Sequence, residues 1–232
     1  MDPAKDMYPG AGHEWFSVQH WVSVQADGVS ASVLPLDVPL MTLGDIDRGQ
    51  WLDTFGDRRA AIFSFVMNNY WEDNYVGSQG GKFQFRYVVT SAPSTNEGQL
   101  SRLGWEEATP LEFDEVTRED KAVKEPHLPD SGQGSFAHID DPNLLLETWK
   151  PAEDQNGTIL RFLDLGGQTR SVSIRLPAFR LMSAWQTDAV ERNQGQLPVQ
   201  DGHEFSFTIH PHEIVTVRIA TDGTETAGAR IH

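Results

Sequence analysis

Ala61-Ile62-Phe63-Ser64-Phe65-Val66-Met67-Asn68-Asn69-Tyr70-Trp71-Glu72-Asp73-Asn74-Tyr75, closed by Gln79-Gly80-Gly81 and followed by Lys82-Phe83-Gln84-Phe85-Arg86-Tyr87-Val88-Val89-Thr90, is the stretch on which the fold class turns. An apolar, β-prone run breaks into amides and aromatics, crosses a glycine turn and resumes as an alternating strand. That is the pattern of two paired strands displaying a polar connection. On the second strand a two-residue period puts Phe83, Phe85 and Tyr87 on one face and Gln84, Arg86 and Val88 on the other. The connection gathers Asn68, Asn69, Tyr70, Trp71, Asn74 and Tyr75. Amides donate and accept toward hydroxyl groups, and aromatic faces pack on the apolar face of a pyranose ring, so these residues suit a carbohydrate. They equally suit a well-capped loop over a β core.

Working outward, the segments before this stretch read as strands too. Trp15–Gln25 and Val29–Leu34 flank Asp27-Gly28, a hairpin turn signal. Pro35–Ile46 has prolines at its entry and reads as an edge or irregular strand ending at Gly44. After the stretch, Leu100, Leu103 and Trp105 fall near helical intervals within Asn96–Ala108, the one short helix expected. Leu111–Ser135 is charged and turn-rich and reads as a long surface connection. Strands then return at regular spacing. Asn143–Lys150, Thr158–Leu165 and Thr169–Leu176 are separated by Asp154-Gln155-Asn156-Gly157 and by Gly166-Gly167, which predicts two hairpins in succession. Phe179–Trp185, Glu204–His210 and Glu213–Ala220 complete an all-β, antiparallel sandwich pattern. The expected organisation is a lead-in over 1–14, one β-sandwich domain over 15–222 and a tail over 223–232.

Composition narrows the function. With 18 Lys and Arg against 34 Asp and Glu, the net charge of −16 repels phosphate backbones and anionic membranes, which argues against nucleic-acid and membrane partners. The absence of cysteine removes disulfides, thiolate metal sites and cysteine nucleophiles. The start of the sequence lacks the basic and apolar regions of a signal peptide, so a soluble chain is expected. The 38% hydrophobic content with 12 Phe and 7 Trp suits a packed core, and 20 Gly with 13 Pro suits many turns.

Candidate chemistry is thin. His203 with His210-Pro211-His212-Glu213 offers imidazoles for a metal, but Pro211 interrupts strand regularity and strand parity points Glu213 away. Asp45 with Asp47, and Glu72 with Asp73, are possible carboxylate pairs of the kind glycoside hydrolysis requires, yet 34 acids make chance pairs common. Acid–base work by His210 or His212 with Glu213, as a mutarotase-like enzyme would need, meets the same parity objection. Motifs for a serine nucleophile, a phosphate loop or a dinucleotide are missing. No residue is therefore assigned as catalytic, as a metal ligand or to a cofactor.

A resemblance enters through Asp37-Val38-Pro39-Leu40, Gly44-Asp45-Ile46 with Trp51, Phe65–Trp71 with Asn74-Tyr75, Gln79-Gly80-Gly81 with Phe85-Arg86-Tyr87, Lys150–Asp154, and Pro211–Ile219. Over approximately residues 15 to 220 the chain resembles the C-terminal β-sandwich region of glycoside hydrolase family 38 α-mannosidases and their bacterial relatives. The resemblance implies a sandwich of the galactose-mutarotase-like supersandwich type. It also implies that zinc ligands and nucleophile belong to other domains, and nothing in this sequence matches their motifs. By the same resemblance, the region packs on a catalytic hydrolase domain or subunit and lends side chains to a sugar cleft. Asn68, Asn69, Tyr70, Trp71, Asn74, Tyr75 and Arg86 are the expected sugar-facing set, with a mannose-type glycan as ligand. A free-standing carbohydrate-binding module is the alternative.

Overall fold

The computed structural model describes residues 7–45, 59–68, 74, 77–94, 96–113 and 134–222. Its described part is nearly all β, with four antiparallel sheets and a single helix. The chain divides into two compact units, Met1–Leu111 and Glu112–His232.

The first unit holds two three-stranded sheets. In one, β2 (Val22–Ala26) and β3 (Val29–Pro35) form a hairpin through Asp27 and Gly28. Both turn residues have positive φ, 50° and 75°, the geometry that matches strand twist in a two-residue hairpin. β6 (Tyr87–Ala92) pairs with the far side of β3. The other sheet has the order β1 (Phe16–Ser17), β4 (Leu40–Leu43), β5 (Ile62–Ser64). Three expectations are thereby corrected. β5 and β6 do not form a hairpin, because each is an edge strand of a different sheet; a 2.7 Å hydrogen bond joins the Ser64 and Tyr87 hydroxyls. β4 is not an edge strand but the middle of its sheet, with the prolines confined to its approach. The expected strand Trp15–Gln25 breaks into β1 and β2.

The β2–β3–β6 sheet also buries the face its hydrophobicity pattern would leave outside. Ser30 and Ser32 are 1% and 2% exposed, whereas Val29 and Val89 are 55% and 72% exposed. Cross-strand hydroxyl pairing explains how: Ser23 Oγ lies 2.9 Å from both Ser30 Oγ and Ser32 Oγ, so the buried hydroxyls have partners. Helix α1 (Glu97–Ala108) starts at Asn96, whose side chain accepts the Gln99 amide at 2.9 Å as an N-cap. Gly104 lets α1 approach closely, since a Cβ there would sit 2.6 Å from His20 Cβ. The Trp105 and His20 rings meet at 4.3 Å, and Trp21 Nε1 donates to Ser101 Oγ at 3.0 Å.

The second unit is a two-sheet sandwich. One sheet has the order β13 (Val199–Gln200), β14 (Glu204–Ile209), β10 (Arg170–Arg175), β7 (His138–Ile139). The other runs β12 (Asn193–Leu197), β11 (Leu181–Thr187), β15 (Ile214–Thr221), β9 (Thr158–Asp164), β8 (Leu144–Pro151). β8 and β9 form the first expected hairpin. The second expected hairpin does not form: β10 pairs with β14 and β7, so the chain crosses from one sheet to the other after β9.

Alternation builds the core between these sheets. Leu160 and Phe162 of β9 and Val215, Val217 and Ile219 of β15 face Val172 and Ile174 of β10 and Phe205, Phe207 and Ile209 of β14. All are at most 5% exposed, and the Phe162 ring lies 5.3 Å from Phe207 and 6.5 Å from Phe205. A register shift between Leu146 and Thr148 turns Trp149 toward the core side of β8, where its ring meets Phe179 at 5.5 Å. At the corner after β9, the Asp164 carboxylate is fully buried. It accepts the amides of Gly166, Gly167 and His212 at 2.8–3.0 Å and pairs with Arg170, which also pairs with Asp141. Burial pushes the Asp164 carboxyl up, but Arg170 and the three amides outweigh it and hold the group below its usual range.

Candidate functional site

The expected sugar-facing residues divide by place. Asn68 and Asn74 are exposed, while Asn69, Tyr70, Trp71 and Tyr75 lie outside the described residues, as do Asp47, Glu72 and Asp73. Arg86 has a structural occupation. Its Nη2 donates to Asp37 Oδ1 at 2.8 Å, its Nε to Oδ2 at 3.2 Å, and its backbone amide to Oδ2 at 2.7 Å. This fork pins the Asp37 turn to the entry of β6, and the Arg86 guanidinium holds the Asp37 carboxyl below its ordinary value.

The histidine group is dispersed into backbone work. His210 and His212 lie in the β14–β15 turn, not on a strand. His210 Nδ1 is 3.2 Å from Thr169 Oγ1, and its amide is capped by Glu213 Oε2 at 2.7 Å. His212 adopts φ 57° and gives its amide to Asp164, while His203 Nδ1 sits 2.7 Å from the Phe179 carbonyl. Among the described residues no group of three His, Asp or Glu side chains is placed to hold a metal ion.

A site that sequence reading passed over lies on the outer face of the five-stranded sheet. Opposite the core, pairing register aligns Lys150 of β8 with Ile159 of β9, Ile159 with Arg218 of β15, and Arg218 with Trp185 of β11. The β11–β12 connection folds over this row. Asp188 organises that connection by accepting the amides of Val190 and Arg192 at 3.1 and 2.9 Å and the Arg192 Nε at 2.7 Å. Glu191, in the left-handed region at φ 67°, is thereby turned down onto the sheet, 5% exposed. Its Oε1 receives Lys150 Nζ at 2.7 Å and its Oε2 receives the Glu153 amide at 2.9 Å.

Arg218 is the second anchor, 8% exposed. Its Nη1 donates to both oxygens of Asp154, at 2.7 and 2.9 Å, and to the Asn156 carbonyl at 2.6 Å, while Nη2 donates to the Glu191 carbonyl at 2.7 Å. Arg218 Nε is buried without a hydrogen-bond partner in the structure. The hydrogen bond from Lys150, then that from the Glu153 amide, keeps the Glu191 carboxyl below its ordinary range despite burial. Arg218 does the same for Asp154, and the two glutamates raise Lys150.

Above these anchors opens a cavity of about 290 Å³ lined by Asp154, Asn156, Val190, Glu191, Arg192 and Arg218, among others. Its wall is a set of planar hydrogen-bonding groups with one apolar side chain, Val190, 68% exposed. The sequence carried one legible sign of it: a lone arginine inside the apolar run Ile214-Val215-Thr216-Val217-Arg218-Ile219. Glu191 carried none, because Thr187-Asp188-Ala189-Val190-Glu191-Arg192 reads as an ordinary charged loop.

No helix among the described residues is long and apolar enough to cross a membrane. No curated protein matches the chain. Residues 143–217, about a third of the chain and spanning β8 to the middle of β15, match the family described as the glycosyl hydrolases family 38 C-terminal beta sandwich domain.

Proposed function

We propose that the chain acts as a non-catalytic module of a family 38-type glycoside hydrolase, completing or supporting a sugar cleft whose chemistry resides on a catalytic domain or subunit. The family match over the sandwich strands carries the reading. Two features support it. On the β2–β3–β6 sheet Val29 and Val89 are more than half exposed, apolar side chains of the kind a partner domain covers. Asn68 and Asn74 are exposed and neighbour Tyr70, Trp71 and Tyr75 in sequence, a composition suited to a mannose-type glycan.

The test is reconstitution. A family 38 catalytic domain stripped of its own C-terminal region is assayed on an aryl α-mannoside with and without the purified chain. Association together with increased turnover is the expected result. Turnover of the glycoside by the chain alone, or neither association nor stimulation, refutes the reading. The alternative, a free-standing carbohydrate-binding module, is favoured by the exposed amides, and it predicts heat on titrating mannose oligosaccharides into the chain alone.

A further inference from the structure

We propose that the cavity over Glu191 and Arg218 is a monosaccharide-sized binding site for a neutral polyol, built from residues other than those of the Asn68–Tyr75 connection. The proposal rests on three observations. The first is size. About 290 Å³ lies at the low end of small-molecule sites, room for a single sugar ring and not for an oligosaccharide or a nucleotide.

The second observation is charge. Every charged group in the wall already has a protein counter-ion: Asp154 holds Arg218, Asp188 holds Arg192, and Lys150 serves both Glu191 and Glu153. An anion entering would meet the carboxylates of Glu153, Asp154 and Glu191, and a cation would meet Arg192 and Arg218. Neither finds an unopposed partner, so a ligand bearing hydroxyls and no net charge fits best.

The third observation is the hydrogen-bonding capacity left over. Arg218 is nine-tenths buried at the cavity, and its Nε is unpartnered. Of its two terminal nitrogens, Nη1 spends its hydrogens on Asp154 and Asn156, whereas Nη2 spends one on the Glu191 carbonyl and keeps one. Each carboxylate oxygen accepts about two bonds; Glu191 Oε1 and Oε2 each have one protein donor within hydrogen-bond distance, which leaves each of them acceptor capacity. Spare donor and acceptor capacity on planar, immobilised groups of one wall suits the hydroxyls of a pyranose, which both donate and accept. Val190, exposed at the rim, offers an apolar side chain to the C–H face of the ring. The anchors are fixed in advance, Glu191 by its turn and Arg218 by three acceptors, so little ordering opposes binding.

Choosing a sugar over other neutral polyols draws on the carbohydrate reading above, but the site itself does not. Amide NMR of the full chain, titrated with mannose, galactose, glucose and glycerol and separately with inorganic phosphate and arginine, tests it. A monosaccharide should shift the Asn156, Gly157, Val190, Glu191 and Arg192 amides saturably, with a Kd no weaker than ~10 mM. The exposed substitutions Asp154→Ala and Arg192→Ala should each weaken that binding at least about fivefold. Trp71→Ala should leave it unchanged; if Trp71→Ala removes it, the sugar sits at the other connection and this proposal fails while the carbohydrate reading stands. Glycerol alone shifting these amides supports a polyol site and overturns the sugar choice. Shifts with phosphate or arginine but no polyol, or no response to any ligand, overturn the site.

Discussion

Replacing Asp164 by asparagine exchanges one oxygen for an NH2 group at the corner where the chain passes from β9 to the opposite sheet. The carboxylate there is fully buried and has no spare orientation. Oδ1 accepts the Gly166 amide and Arg170 Nη1; Oδ2 accepts the Gly167 and His212 amides at 2.8 Å each. Whichever way the asparagine amide is turned, its NH2 meets two donors, so two charge-assisted bonds are lost: those of Gly166 and Arg170 on one side, or those of Gly167 and His212 on the other. At about 1.5–3 kcal/mol per bond to a charged acceptor, the gross loss is roughly 3–6 kcal/mol. Local relaxation trims this, and a net destabilisation of about 4 kcal/mol is expected. Urea unfolding of the full chain, followed through amide resonances of β9 and β15, measures it for the second unit. Val190→Ala is the internal control, because its side chain is 68% exposed and its loss should leave the midpoint nearly unmoved. If Asp164→Asn moves the unfolding free energy by less than about 1 kcal/mol, the corner is not held by this carboxylate and the account given for it is wrong.

Phe162→Ala removes a fully buried ring between Phe205 and Phe207 and should cost about 3–5 kcal/mol by the same urea assay, with the first unit's resonances unaffected. Gly157→Ala should fail more sharply than its size suggests: φ is +92° and a Cβ would sit 2.4 Å from the Ile219 carbonyl, so loss of the β8–β9 hairpin amide pattern is expected by NMR. Acid titration has a defined sign. Asp164, Asp154 and Glu191 are all lowered in the fold, so the unfolded chain binds more protons as pH falls. Their stabilisation is complete above the unfolded values of about 4 and is lost below them, so urea midpoints should be flat from neutrality to about pH 5 and drop below about pH 4. A midpoint that rises on acidification would contradict these assignments. Arg86→Ala should loosen the Asp37 turn, seen as faster hydrogen exchange at the Leu36 amide, which is bonded to the Arg86 carbonyl at 3.1 Å.

The strands were legible where period and punctuation agreed. Asp27-Gly28 announced its hairpin because two positive-φ positions leave few residue choices, and Leu100, Leu103 and Trp105 announced α1 because their spacing follows the helical period. Partnering was far less legible. Phe63 and Tyr87 look like members of one hairpin because local pattern carries no record of which distant strand each will pair with, yet β4 and β3 are their neighbours. Gly166-Gly167 looks like a hairpin turn for a similar reason; what makes it a corner is Asp164, which gathers its own amides with that of His212, 48 residues away. The buried face of β3 was misleading outright. Ser30 and Ser32 go inside because Ser23 answers their hydroxyls across the strand pair, a relation that a hydrophobicity period cannot register. The cavity over Glu191 was hidden by the same non-locality, since Lys150, Glu191 and Arg218 come from three separate strands and loops.

The position of β15 carries a consequence for how the sandwich comes into being. It is the last described strand in sequence and lies third in its five-stranded sheet, between β11 and β9. Until residues 214–221 are in place, β9 and β11 have no partner on their inner edges and the side chains of Leu160 and Phe162 lack Val215 and Val217 beside them. The sheet therefore cannot grow strand by strand as the chain emerges; it waits for a late insertion between two preformed hairpins, β8–β9 and β11–β12. Such long-range closure is slow and leaves two open strand edges meanwhile. A chain shortened by a dozen residues before Thr221 should thus lose the whole sandwich, and its two orphaned hairpins should pair with those of other copies.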